Sequence, residues 1–330
     1  MHKTLDLIII GGGPIGLACG LQAKEKNMDF LIFEKGCIVN SLYHYPQNMT
    51  FFSSSDLLEI GGIPFATTLP KPKRAEALEY YRRIQDKFDL PVHLFTEVVD
   101  VNKEKNKFEV KTTQGIYFAE NVIVATGFYD IPMLLDIKGE NLPKVSHYYN
   151  DPHYYANQNV IVVGASNSSI DAALETYRKG AKVTLVIRGN EISHRVKYWV
   201  RPDILNRIEE GSINVFFKSN LQEIREKEVD IDTPEGVITI PNDFVLALTG
   251  YRPNFSFLEK IGIHVPATGT RIPTHNPSTM ETNIKGLYLA GVVCGGLNTH
   301  LWFIENSRIH AKIIVEHITD KKQYHNSSAT

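Results

Sequence analysis

Cysteine is scarce in this chain: three residues out of 330, at positions 19, 37 and 294. They are too few and too scattered for a disulfide framework. No two stand in C-x-x-C spacing, which excludes a zinc ribbon and a redox dithiol of that kind. Long apolar runs are also missing. The longest are a few residues, against the about 20 needed to cross a bilayer, and residues 7–10 are too short and too soon followed by glycine to form the core of a secretion signal. Neither sign of charge dominates. With 35 Lys and Arg against 37 Asp and Glu, the net charge of −2 gives no electrostatic reason to expect nucleic acid or an anionic membrane as partner. No Ser-His-Asp set and no metal-spaced His/Cys cluster is visible. What is left, 43% apolar and 22% charged without low-complexity stretches, reads as a soluble cytoplasmic protein long enough for two domains, each with its own core.

Two stretches share a pattern of buried strand, small-residue turn, helix and second strand: residues 5–34, with "LIIIGGGPIGLACG", and residues 159–188, "NVIVVGASNSSIDAALETYRKGAKVTLVIR". Their Val/Ile/Leu runs are continuous rather than alternating, as expected for parallel strands covered on both faces. Further strands ending in small residues occur at "NVIVATGFYDIP" (121–132), "NDFVLALTGYRPN" (242–254) and "GLYLAGVVCGG", the last followed by an amphipathic helix. The expected fold class is α/β, with two Rossmann-like, three-layer dinucleotide-binding domains, one inserted in the other. The outer domain would comprise about residues 1–130 and 255–330, and the inner one 131–254. The polar tail "KKQYHNSSAT" is expected to fray, and the aromatic run "SHYYNDPHYY" (146–155) to act as a hinge that packs the two domains together.

The first turn fits G-x-G-x-x-G with Gly11, Gly13 and Gly16. These glycines would serve a tight turn, close approach of backbone to a pyrophosphate, and close packing of helix on strand. Phosphates would sit on the free N–H groups and positive end of the helix. Glu34 closes the second strand, where a carboxylate can accept from both ribose hydroxyls. The second turn carries Gly164, Ser166 and Ser169, and Arg188 stands where Glu34 stands in the first. An acid at that place suits NADH and a cation suits a 2′-phosphate, so the second site is expected to take NADPH, with His194, Arg195 and Lys197 adding positive charge.

With these motifs on the page, the chain resembles the FAD- and NADPH-dependent reductases of the thioredoxin reductase fold. More narrowly it is similar to the bacillithiol disulfide reductase family, through residues 40–65 ("NSLYHYPQNMTFFSSSDLLEIGGIPF"), "ATGFYDIP", "SNSSIDAALE", "LTGYRPN" and "ETNIKGLYLAGV…FIENSRIH". The resemblance implies FAD in the first site and NADPH in the second. It implies Gly11, Gly13, Pro14, Ile15 and Gly16 along the pyrophosphate, Glu34 and Lys35 at the adenosine, and Ser41, Tyr43 and residues on to Phe52 around the flavin. Ala125, Thr126 and Gly127 would close that site, with Gly291 and Val292 near the ribitol. Gly164, Ser166, Asn167, Ser168, Arg188, Ser193 and Lys197 would hold NADPH. Residues 299–303 would begin the last helix, whose positive end favours charge on the reduced ring. It also implies a homodimer or higher homo-oligomer and a small-molecule disulfide or redox-protein acceptor.

Two departures matter. Many such reductases have Gly-Asp after the final strand, where this chain has Gly291-Val292; one ribitol hydroxyl then needs another partner. Family members often carry cysteine at the position of Ile15, and an isoleucine can neither attack a disulfide nor be oxidised. Among the remaining thiols Cys294, three residues past Gly291, is the best substitute. Cys19 should be core, and Cys37 should lie near the adenosine. Of the histidines at 44, 147 and 300, His300 is the one expected to reach the flavin or substrate. Ferredoxin or flavodoxin reduction, a flavin monooxygenase and a non-catalytic NADPH-responsive flavoprotein stay open as alternatives.

Overall fold

The computed structural model describes residues 3–327. Contacts divide the chain into two compact units. One contains the described residues up to Tyr43, Met49–Ile131 and the residues from Tyr251 on; the other contains His44–Asn48 and Pro132–Gly250.

In the first unit, strand β1 (Thr4–Ile10) runs parallel to β2 (Phe30–Phe33) on one side and to the Ile116–Val124 strand on the other. Leu287–Leu289 adds to Ile116–Val124 in parallel, while Lys107–Thr112 and Val98–Glu104 extend the sheet antiparallel. The apolar run of β1 is buried completely from Leu7 to Ile9, each such side chain contributing about 1.5–3 kcal/mol through removal from water. Helix α1 (Pro14–Glu25) lies on this sheet with Pro14 at its first position, where the missing N–H costs nothing. A Cβ on Gly16 would come within 1.8 Å of the Gly11 carbonyl oxygen, so only glycine allows this close seat.

Register fixes where loops emerge. Ile10 is level with Phe33 and Val124, and Val124 with Leu289. The turns beginning at Gly11, Glu34, Ala125 and Ala290 therefore leave the sheet along one edge, the carboxyl edge at which open α/β sheets bind ligands.

The second unit has a five-stranded, all-parallel sheet in the order Asn214–Phe217, Lys182–Ile187, Asn159–Val163, Phe244–Ala247, Val145–Ser146. One face is covered by the Asn167–Tyr177 helix and its neighbours. The other packs on the antiparallel meander Asn220–Ile224, Glu228–Thr233, Gly236–Pro241. The aromatic run 146–155 belongs to this unit's own core: Tyr149 and Tyr155 are buried in it, and the Tyr149 hydroxyl donates to Glu175 at 2.7 Å. The expected hinge is thus a packed wall, because a large ring gains more inside one core than on a linker. The last helix, Ile309–Ser327, continues through most of the tail expected to fray; residues 328–330 lie outside the described residues. Among the described residues no helix is long and apolar enough to cross a membrane.

Candidate functional site

At the first turn, Gly13 is extended and caps α1 without any side-chain hydrogen bond, and the first helical turn holds no acid. A Cβ built on Gly13 would meet nothing within 4 Å. The helix thus offers free N–H groups and its positive end to open space, which suits a diphosphate. Glu34 stands behind it, 6% exposed. Its two oxygens accept from the Gly12 N–H at 2.8 Å and the Gly36 N–H at 3.1 Å. Burial pushes this carboxyl above the usual glutamate range against the pull of those two donors, so further donors such as ribose hydroxyls would favour its charged form. Open cradle, uncapped helix and buried acid together fit the adenosine diphosphate half of FAD. Lys35 is committed to Asp130 at 2.8 Å rather than left for the adenosine.

Of the other residues expected around FAD, Ser41, Tyr43, Phe52, residues 125–127, Gly291 and Val292 fall on the same unit, while His44–Asn48 belong to the second. Ser41 and Tyr43 lie on the short helix Asn40–Tyr43, and the Arg74 guanidinium clamps its end, donating to the Leu42 and Tyr43 carbonyls at 3.2 Å each. A Cβ on Gly127 would sit 4.0 Å from the Ser41 hydroxyl oxygen, which sets the 125–127 turn opposite that helix. Lys71 donates to the Phe52 carbonyl and lies over its ring at 5.2 Å. Ile15 is buried, and a Cβ on Gly291 would touch its side chain at 3.3 Å. The first and last glycine turns of the unit therefore meet at Ile15. The expected start of the last helix is displaced: residues 299–303 form a turn, and helix begins at Ile304, because the Asn306 side chain accepts from the Phe303 N–H at 2.7 Å and donates to the Leu301 carbonyl at 3.0 Å.

The thiols are chemically quiet. Cys294 is 1% exposed, and burial drives its pKa far up. Cys19 is fully buried, with its thiol pushed up to about 12. Cys37 is raised too, first by burial and then by Glu34. A nucleophilic cysteine needs the thiolate, so the expected catalytic role of Cys294 meets a packed, protonated side chain. His300 is exposed on the turn before the last helix. His147 sits in the second unit, 3.4 Å from the Glu140 carboxylate.

A residue that sequence reading missed is His310, on the last helix and 2% exposed. Its Nδ1 accepts from the Gly291 N–H at 3.1 Å, Cys294 Sγ lies 4.0 Å from the same nitrogen, and the ring meets Trp302 edge-on at 4.5 Å. Burial lowers its pKa to about 4, with His275 adding to the effect. The run "FIENSRIH" contained it, but nothing local marks a histidine on the buried face of a helix as the partner of a glycine 19 positions earlier.

In the second unit, Gly164 takes φ +130° and its N–H donates to the Val186 carbonyl at 3.1 Å. Ser166 begins the Asn167–Tyr177 helix; its N–H donates to the Ser169 hydroxyl at 3.1 Å. Ser169 thus staples the turn rather than facing a ligand, while Ser166 and Ser168 are exposed at it. Asn167 latches the following loop: its amide donates to the Arg195 carbonyl at 3.1 Å and its oxygen accepts from the Lys197 N–H at 2.8 Å. Ser193 joins the loop to the turn through its N–H on the Ala165 carbonyl at 3.1 Å. The Lys197 ammonium is buried on Asp171 at 2.7 Å, so its charge is spent inside the unit. Arg188 is exposed just past the Lys182–Ile187 strand. A serine-lined helix start with an exposed arginine at the next strand end fits a 2′-phosphorylated dinucleotide. Among the described residues no group of His, Cys, Asp and Glu could hold a metal ion.

Comparison with known proteins gives the same picture. The model of the pyridine nucleotide-disulphide oxidoreductase family matches residues 8–291. The chain is 43% identical over 319 residues to the bacilliredoxin reductase Bdr of Bacillus subtilis (strain 168), covering 96% of this chain and 98% of the relative. The solved bacillithiol disulfide reductase Bdr from Staphylococcus aureus superposes with a TM-score of 0.94 at 41% identity, covering 98% of this chain and all of that one. The thioredoxin reductase of T. acidophilum matches at TM-score 0.77 and 17% identity over 97% of this chain and 99% of that one, a likeness of fold alone.

Proposed function

The chain belongs to the pyridine nucleotide-disulphide oxidoreductase family, in its bacillithiol disulfide reductase branch, and on that premise we propose that it reduces a disulfide acceptor without using a thiol of its own. It is an FAD-dependent NADPH oxidoreductase. The net reaction consumes NADPH, a proton and one disulfide, and yields NADP⁺ and two thiols. The bound flavin supplies the two-electron relay between coenzyme and acceptor. In this reading the first turn with Glu34 anchors FAD, and the second turn with Arg188 selects the phosphorylated coenzyme.

The observation that carries the proposal is the state of the three cysteines. Cys19 and Cys294 are buried and all three thiols are held protonated, while the turn position nearest Gly291 is filled by Ile15. What these side chains do is pack and exclude water. The acceptor is either a low-molecular-weight thiol disulfide such as bacillithiol disulfide or a disulfide on a small redox protein such as a bacilliredoxin; both chemistries appear in the relatives' names. We place the protein in the cytoplasm, as a homo-oligomer.

The test is anaerobic reduction of the purified protein by NADPH or NADH, followed by rapid mixing with bacillithiol disulfide, oxidised bacilliredoxin or ferredoxin. Preferential reduction by NADPH and fast reoxidation by one of the two disulfides is expected. Reoxidation by ferredoxin alone would overturn the disulfide assignment.

A further inference from the structure

Directly after Gly291, in the turn at the end of the Leu287–Leu289 strand, Val292 offers no side-chain hydrogen-bonding group. Directly behind that turn stands His310. The Gly291 N–H points at its Nδ1, and a donor facing that nitrogen requires a lone pair there, so the neutral ring carries its proton on Nε2. Among the described residues that second nitrogen makes no hydrogen bond. The side chain is 2% exposed, yet this nitrogen is not among the fully buried side-chain atoms left without a partner, so it keeps a small accessible face where an acceptor can reach it. Gly291, at φ +84°, is the residue on which an added Cβ would meet the Ile15 side chain at 3.3 Å, so the imidazole bonds the turn that comes up against Ile15.

We propose that His310 is a cofactor-binding residue of the first site: its Nδ1 holds the Gly291 peptide in place, and its Nε2–H offers a bound FAD hydroxyl the hydrogen bond that Val292 cannot. The inference rests on the reading that FAD occupies the first turn. It also explains why this ring is kept neutral, since a charged imidazolium would have to turn an N–H toward the Gly291 donor.

Three variants separate the two nitrogens. His310→Asn keeps an acceptor near the Nδ1 position and loses the distal donor. His310→Gln keeps a donor near Nε2 and loses the acceptor, and His310→Phe keeps only the ring against Trp302. Melting of the FAD-free proteins reads the hold on Gly291, and FAD dissociation with the visible flavin spectrum reads the contact to the cofactor. The expected result is an Asn variant that melts near wild type but releases FAD at least tenfold more readily. The Gln variant should melt lower yet bind FAD better than Phe. In wild type, the ¹⁵N signal of the His310 Nε2 should shift when FAD is added. An Asn variant that binds FAD as tightly as wild type, or an unmoved ¹⁵N signal, overturns the proposal while leaving the site intact. A wild-type protein that takes up no FAD overturns the placement of FAD, and this inference with it.

Discussion

Single side chains decide which chemistry is available. His310 has its pKa lowered to about 4 from an ordinary 6.5, chiefly by burial. Between those two values the unfolded chain binds a proton that the native one refuses. The stability tied to the neutral ring is therefore complete above pH 6.5 and is lost as the pH falls toward 4, for a total of about 3 kcal/mol. From pH 7 to pH 5 the urea-unfolding free energy of wild type should fall by about 2 kcal/mol relative to that of His310→Asn; an unchanged difference would contradict a buried neutral imidazole. Glu34 was legible in the sequence because a strand end following a glycine turn fixes its place to within a residue. His310 was not, since its partnership with Gly291 exists only after the last helix packs back on the sheet. Lys197 shows the converse: a charge counted as available for phosphate is neutralised by Asp171, 26 residues earlier on the Asn167–Tyr177 helix, which charge counting along a chain does not reveal.

At the scale of elements, the seat of α1 against the Gly11 carbonyl is the tightest contact around the first turn. Gly16→Ala must push the helix outward, at a cost of about 1–3 kcal/mol. Calorimetry should show a lower melting temperature, with FAD lost more readily on gel filtration; a variant matching wild type in both would mean that the seat has slack. In the second unit, Arg188→Glu should raise the KM for NADPH by about tenfold or more and leave NADH use unharmed, as expected when a charge-assisted phosphate contact is replaced by repulsion. Steady-state kinetics with both coenzymes decides this, and equal losses for both would remove Arg188 from the 2′-phosphate. The strand–turn–helix units could be read directly from continuous apolar runs punctuated by glycine and serine. The beginning of the last helix could not: residues 299–303 follow a glycine turn as a helix start would, yet Asn306 caps the chain at Phe303.

Across the whole molecule, two nucleotide-type sheets lie in one chain, each with its own core and its own turn at the carboxyl edge of its strands. Their α/β class followed from the buried parallel pattern. The antiparallel strands Val98–Glu104 and Lys107–Thr112, and the meander 220–241, went unnoticed because their alternating polar residues resemble loop composition. In the proposed function, electrons pass from coenzyme to acceptor with no thiol of the chain between, a proposal supported by three cysteines that are packed or protonated. The most direct test is stopped-flow reoxidation by a disulfide, in a variant with Cys19, Cys37 and Cys294 all replaced by alanine, reduced beforehand with NADPH and still holding its flavin. The account predicts a reoxidation rate within a few-fold of wild type; loss of disulfide-driven reoxidation in that yellow, folded variant would contradict it.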